Sequence, residues 1–281
     1  ASGNATIVKG AILYAGDLTT PKSLDGHPVK AIAGGAFIDC TGLISIVVQD
    51  GVEYIGSGAF ARNPNLVRAI LPDSATNIVE SCFYECYGLT EYRLPKRLPV
   101  LSQFFFKGAP ITSIAIPEGV TSIGHDAFLD CTKLETATLP STLKFIDWSG
   151  FQHASALKRI EFPEGFEGFG VWTLKDETHA AFGNCTGLEE AVFNGPLPAN
   201  FTYSWLDKLG CKIWYPKAYE ESWAGAVPAE KFGGYTEDYG KPPDPTTDGV
   251  DVVDGVTWYY TLDASGNATI VKGAILYAGD L

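Results

Sequence analysis

The feature that most constrains this chain is a period. Phe37, Phe60, Phe83, Phe105, Phe128, Phe151 and Phe182 follow one another at steps of 23, 23, 22, 23, 23 and 31 residues. Five residues before each (four at Phe105, and thirteen at Phe182, across an insertion) stands another large apolar residue: Ile32, Ile55, Ile78, Leu101, Ile123, Ile146 and Phe169. Six residues after each stands Leu43, Leu66, Leu89, Ile111, Leu134, Leu157 and Leu188. One such unit cannot bury its apolar face alone. Stacked in register, the units share a continuous core, so a fixed period in the low twenties with aligned apolar columns predicts a solenoid.

Each unit has three parts. A segment of the type GAFIDCTGL, GAFARNPNL or DAFLDCTKL is too short for a free-standing helix and suits a helical turn. An apolar-rich strand follows, such as LVRAILP or LKRIEFP. It ends at Pro72, Pro95, Pro117, Pro140 or Pro163, because Pro has no N–H to continue a ladder. A second short extended piece, such as GVEYIG or GVTSIG, returns to the next Phe. Seven units are expected over 29–194, after a lead-in at 1–28. Residues 195–232, with Trp205, Trp214 and Trp223, break the period. They are expected to close the open end of the core, with a carbohydrate-stacking platform as the sharper alternative. A Gly/Pro-rich linker is expected at 233–250 and a hairpin at 251–281, with strands at Thr257–Leu262 and Ala268–Val271 around the turn 263–267. The expected fold is thus a β-rich α/β solenoid of roughly 23-residue repeats with short strands and helical turns, plus a terminal β-hairpin.

The segments IGSGAF, IGHDAFLDCTKL and IAIPEGVTSIG resemble the BspA-like, Treponema pallidum-type class of leucine-rich repeats. The resemblance covers about residues 29–194, and the SLDGHPV lead-in is similar to that family as well. It implies a secreted or cell-surface protein, often active in adhesion or binding, without implying one ligand. The chain departs from the pattern at an eight-residue insertion before Phe182, around VWTLKDETH, and in a weakened frame near Phe105.

Composition narrows the function. A net charge of −13 and a pI near 4.7 argue against binding a nucleic-acid backbone, which needs clustered Lys and Arg. A hydrophobic fraction of 46% supports a packed core, yet no apolar run approaches the roughly 20 residues of a membrane span. The chain begins at Ala1 and holds no Met, which is expected of a processed or excised fragment.

Chemistry is sparse. His27, His125, His153 and His179 are not at metal-ligand spacing, and no HExxH, GxSxG, Walker-type loop or GxGxxG occurs. Asp176, Glu177 and His179, in the insertion at 171–180, are the nearest approach to a metal or acid/base site, and a surface loop is the plainer reading. No cofactor is expected, and the chain reads as a non-enzyme. Cys40, Cys86, Cys131 and Cys185 all stand three residues after the frame Phe; Asn63, Gly108 and Ala154 hold that column in the other units. Adjacent units lie about 5 Å apart. Cysteines two units apart are therefore out of reach of a bridge, and the column is expected to hold buried free thiols. Cys82 and Cys86, one helical turn apart, have poor disulfide geometry as well. The sequons at Asn4, Asn184 and Asn200 carry meaning only in a eukaryotic secretory context.

Partners follow from two surfaces. If the middle apolar residue of each strand points inward, Ser45, Arg68, Glu91, Ser113, Thr136, Arg159 and Glu190 face outward. A second outward column is Val47, Ile70, Arg93, Ala115, Thr138, Glu161 and Val192. This face is the candidate for a protein or glycan at a cell surface. The second surface comes from the ends: Ala1–Leu18 and Ala264–Leu281 are identical, residue for residue, at an offset of 263. Either the chain is one unit of a tandem array or the two ends are an artificial overlap. The first copy lacks the strand that Thr257–Leu262 supplies to the second. Ala5, Thr6, Ile7 and Val8 are therefore expected to meet Trp258, Tyr259 and Tyr260 of another unit, head to tail, in a surface fibre or layer. The alternative is a flexible string of adhesin-like modules.

Overall fold

The structure is a computed structural model. It describes residues 3–8, 15–170, 172–174, 177–199, 201, 210–238, 249–253, 256–262 and 268–272, with only the backbone described for 172–179 and from 238 onward. Two compact units divide at Gly233/Gly234.

The first unit is a solenoid whose core lies between two ribbons of short parallel strands. One ribbon runs through Gly16–Thr19, Leu43–Val47, Arg68–Ile70 and Glu91–Arg93. Further along the same face lie the pair Ser113–Ala115 and Thr136–Thr138, then the group Arg159–Phe162, Glu190–Phe193, Lys212–Tyr215 and Phe232–Tyr235. The other ribbon carries the apolar column that precedes each frame Phe. Ile32, Ile55 and Ile78 are paired in succession, as are Leu101, Ile123, Ile146 and Phe169. All seven are buried.

The segment around each frame Phe is a tight chain of turns with i→i+3 hydrogen bonds, such as Ile38 N to Gly35 O and Cys86 N to Phe83 O. Residues two before and two after the Phe adopt left-handed backbone, as at Gly35 and Asp39, Gly58 and Arg62, Ser81 and Glu85, and Asp126 and Asp130. Every second N–H of this segment points toward the next repeat. In the second repeat, for example, Gly58, Phe60 and Arg62 donate to Glu80, Cys82 and Tyr84. The turn edge is therefore a three-rail hydrogen-bonded ladder, continuous from repeat to repeat. It accounts for the IG of IGSGAF: a Cβ on Gly56 would lie 2.3 Å from the Gly34 nitrogen, a backbone atom of the preceding repeat.

This ladder corrects the frame of the fourth repeat. Phe104, Phe106 and Gly108 donate to His125, Ala127 and Leu129, and Phe83 donates to Phe105 O. The column residue is thus Phe106, not Phe105. Phe106 stacks on Phe83 at 5.7 Å and on Phe128 at 5.9 Å, while Phe105 meets Phe83 edge-on at 69°. Spacing alone could not choose between adjacent phenylalanines, because the 45 residues from Phe83 to Phe128 divide as 22 and 23 or as 23 and 22. The short step now falls after Phe106, and Ala109 replaces Gly108 in the column three residues on. The rest of the stack runs Phe37–Phe60 at 5.6 Å, Phe60–Phe83 at 5.6 Å, Phe128–Phe151 at 4.7 Å and Phe151–Phe182 at 5.2 Å, all near-parallel.

The cysteine column has a second role. Cys86, Cys131 and Cys185 donate through Sγ to the carbonyls of Phe60, Phe106 and Phe151 in the preceding repeat, at 3.0–3.1 Å. Asn63, fully buried in the same column, does this with Nδ2, to Phe37 O and Phe60 O at 2.8 Å each. All six cysteines are free thiols and buried.

After the last repeat, Trp223 is 1% exposed. It stacks on Tyr215 at 4.9 Å, packs against Phe193 and Phe201, and donates its indole N–H to Gly195 O. Val192, placed by its strand position among the outward residues, is buried here, in register with Trp214 of the added strand Lys212–Tyr215. Trp205 lies outside the described residues.

The second unit contains an antiparallel sheet of Gly249–Val253, Val256–Leu262 and Ala268–Lys272. The last two are the expected hairpin, with Leu262 opposite Ala268 and Tyr260 opposite Ile270. The strand Gly249–Val253 adds to it, and its first two residues fall within the stretch expected to be linker.

Candidate interaction surfaces

Strand register brings the outward residues into rows. Ser45, Arg68 and Glu91 are direct neighbours, as are Ser113 and Thr136, and Arg159 and Glu190. Many of these groups satisfy one another. Arg68 pairs with Glu91 at 3.6 Å, Arg159 with Glu161 at 2.7 Å and Glu190 at 3.9 Å, and Arg93 with Asp73 at 2.8 Å. Ser45 donates to Asp17 at 2.6 Å. Such half-exposed pairs add little stability and leave a polar, register-locked face.

The ladder along this face is interrupted between Glu91–Arg93 and Ser113–Ala115. There Tyr92 turns its hydroxyl to Ser113 O across the gap. Burial pushes this phenol up to about 12, so it stays a donor through neutral pH. At the break lies an open cavity of about 530 Å³, lined in part by Arg68, Ile70, Glu91, Tyr92, Ser113 and Ala115. The break thus groups three residues of the first outward column with two of the second.

Sequence inspection missed a ridge on the turn edge. Tyr84 meets Phe104 edge-on at 6.1 Å, Phe104 meets His125 at 4.8 Å, and His125 lies flat on Trp148 at 4.3 Å. The Lys107 ammonium is held 5.3 Å from the Tyr84 ring and 5.6 Å from that of Phe104, a cation–π geometry. A second hollow, of about 390 Å³, is lined by Ser81, Tyr84, Phe104 and Lys107. Tyr84 and Lys107 stand one residue after their frame Phe, and His125 and Trp148 three before theirs, but no single column runs through all five.

Nothing on either surface has the geometry of an active site. Among the described residues no group of three His, Cys, Asp or Glu is placed to hold a metal ion. The thiols are unsuited to nucleophilic work. Burial pushes Cys86, Cys185 and Cys211 up to about 12, and Cys82 and Cys131 are raised strongly for the same reason. His153 is held by Asp130 at 2.6 Å and contacts Asn184 at 3.1 Å, a bridge between repeats. In the insertion, Trp172–Leu174 and Glu177–His179 form an antiparallel pair. Asp176 lies outside the described residues. No helix among the described residues is long and apolar enough to cross a membrane.

Of the expected end-to-end contact, Ala5–Ile7 has a partner that sequence did not foresee. It pairs in parallel with His27–Ile32, Thr6 opposite Ala31 and Ile7 opposite Ile32. Trp258, Tyr259 and Tyr260 lie in the central strand of the terminal sheet, opposite Asp251, Val250 and Gly249.

A family model described as the BspA type leucine-rich repeat region matches residues 17–110 and 99–203, in six copies. That is more than half of the chain. The chain belongs to the BspA-type leucine-rich repeat family. Among solved structures, a leucine-rich repeat protein from Bacteroides ovatus is 28% identical with a TM-score of 0.59, over 72% of this chain and 52% of its own. This chain therefore spans about half the length of that relative. The Treponema pallidum leucine-rich repeat protein is 22% identical with a TM-score of 0.52, over 82% of this chain and 89% of its own. A protein of Faecalibacterium prausnitzii described as a leucine rich cell surface protein is 20% identical with a TM-score of 0.54, over 98% of this chain and 58% of its own. The last two likenesses speak to the fold alone. No curated protein matches the chain. BspA-type repeats are generally non-enzymatic scaffolds, and this chain is a repeat module of the BspA type.

Proposed function

We propose that this BspA-type module works outside the cell as a non-catalytic recognition unit in adhesion, gripping a protein or glycan ligand on its strand face. The observation that carries the reading is the break between Glu91–Arg93 and Ser113–Ala115. There Arg68, Glu91 and Ser113, singled out by strand position, border one cavity of about 530 Å³. A rigid scaffold with an irregular, polar concavity at one point suits ligand recognition. The surface role is supported by the name of the Faecalibacterium relative, and the family frame makes catalysis an unneeded assumption.

The test is saturable binding of the fluorescently labelled chain to intact bacterial and epithelial cells, read by flow cytometry. Ser113→Trp fills the cavity from an exposed strand position and is expected to reduce binding at least tenfold. Glu161→Trp, on the same face two strands beyond the cavity lining, should leave it within twofold. Sensitivity of the cells to protease or to periodate then assigns the ligand as protein or glycan. Equal binding by both variants would remove the strand-face site.

A further inference from the structure

The segment ASGNATIVK occurs at 1–9 and again at 264–272, and the structure gives the two copies different strand partners. In the first copy Ala5–Ile7 lies parallel to His27–Ile32. In the second, Ala268–Lys272 lies antiparallel to Val256–Leu262. The first strand is two residues shorter. Val8, which follows it, is 72% exposed, the most exposed large apolar residue among those described, whereas its counterpart Val271 lies inside the longer strand. The N-terminal strand is thus incomplete where the same residues, given an antiparallel neighbour, continue.

A strand has two edges. Ala33 N donates to Ile7 O at 2.8 Å, so Ile7 turns its backbone polar groups toward His27–Ile32. By the alternation of a strand, Thr6 turns its N–H and C=O the other way. Among the described residues that outer edge has no strand beside it. Exposed edges of this kind recruit strands.

From these observations we infer that the N-terminal strand of one molecule is a ligand for the Val256–Leu262 strand of a second copy. It takes the place that Ala268–Lys272 holds within that copy. Identical residues make identical pairs, so the incoming Ala5–Val8 meets the register Leu262–Ala268, Thr261–Thr269 and Tyr260–Ile270 already present in the sheet. It keeps its parallel bonds to His27–Ile32 on the opposite edge. The terminal sheet of one molecule then continues into the solenoid ribbon of the next, head to tail, and repeats without closing. In a single chain the cis strand wins, because a short tether gives it an effective concentration on the order of mM. This inference does not rest on the strand-face reading above.

The test uses the full chain and sedimentation velocity at about 50 µM, well below that mM tether concentration. Thr269→Pro removes the N–H at the centre of the cis strand and opens the acceptor edge, and the variant is expected to shift from monomer to a ladder of oligomers. Thr6→Pro alone leaves the chain monomeric, with circular dichroism unchanged, because Pro is tolerated at an outward-facing edge position. The double variant Thr6→Pro/Thr269→Pro is expected to return to monomer, and the synthetic peptide ASGNATIVK in excess should dissolve the single-variant oligomers. A Thr269→Pro chain that stays monomeric overturns the inference, as does a double variant that oligomerises as readily as the single one. Neither result bears on ligand binding at Ser113.

Discussion

Phe128→Ala probes the column at its middle. The ring is fully buried and sandwiched, 5.9 Å from Phe106 at 19° and 4.7 Å from Phe151 at 17°. The backbone beside it is pinned by Phe128 N to Gly150 O at 2.8 Å and by Cys131 N to Phe128 O at 3.1 Å. Phe-to-Ala in a core costs about 3–5 kcal/mol, more where the surroundings cannot close on the cavity. Here neither neighbouring ring can slide in, because each is held by its own rails of the turn ladder. The expected loss is therefore at the upper end, about 4–5 kcal/mol. Phe37 opens the described part of the stack, is 5% exposed and, among the described residues, has a ring on one side only, so Phe37→Ala is expected near the lower end, about 3 kcal/mol. Urea melts followed by far-UV circular dichroism, with the m-value checked for constancy, measure both. A Phe128→Ala loss under about 1 kcal/mol, or one smaller than that of Phe37→Ala, would refute the reasoning.

The buried thiols set an alkaline limit. Their folded pKa values lie above the ordinary thiol value, so between about pH 9 and 12 the unfolded chain gives up protons that the folded chain keeps, and stability falls as pH rises. Each such thiol contributes a slope of up to about 1.4 kcal/mol per pH unit. Serine at Cys86 and Cys185 should flatten that limb of the stability curve, and an unchanged limb would count against burial as its cause. Asn63→Cys is expected to cost under about 1 kcal/mol, since a thiol already fills this role at Cys86, whereas Asn63→Leu takes the side-chain donor from the buried Phe37 carbonyl at about 1–3 kcal/mol. The order of the two midpoints in denaturant decides. Gly56→Ala forces a Cβ onto the Gly34 nitrogen and should cost about 1–3 kcal/mol by differential scanning calorimetry, with no loss meaning that the repeats are less tightly apposed than described.

The period made the solenoid legible. Apolar residues that recur in register have few other ways to be buried together, and the Ile, Phe and Leu columns fall where spacing puts them. The fourth repeat was ambiguous for a local reason: Phe105 and Phe106 are both large, apolar and adjacent, and only the hand of the backbone on either side tells them apart. Left-handed residues announce themselves when they are Gly, as at Gly35 and Gly58. They do not when they are Arg62, Glu85 or Phe104, whose side chains favour other conformations. The outward strand rows were legible because a strand alternates. The aromatic ridge was not, since only His125 and Trp148 share a column, three before the frame Phe, while Tyr84 comes from one after it and Phe104 from two before. The partner of Ala5–Ile7 was hidden because a parallel contact across a 20-residue gap leaves no short-range signature.

The three-rail edge has a direction. Each rail is a file of the same amide from successive repeats, the N–H of one aimed at the C=O of the next, as in Phe37 to Ala59, Phe60 to Cys82 and Phe83 to Phe105. All point toward the C-terminal end, so their dipoles add as those of a helix do, and each bond polarises its neighbours. Among the described residues, one end of the rails lies at the carbonyl oxygens of Gly34, Ala36 and Ile38 and carries a fractional negative charge; the far end offers N–H groups and the opposite charge. A repeat inserted backwards would meet oxygen with oxygen. The solenoid is thus an electrical object with a head and a tail, and whatever extends it along this edge, whether a further repeat or another molecule, can join in one sense only.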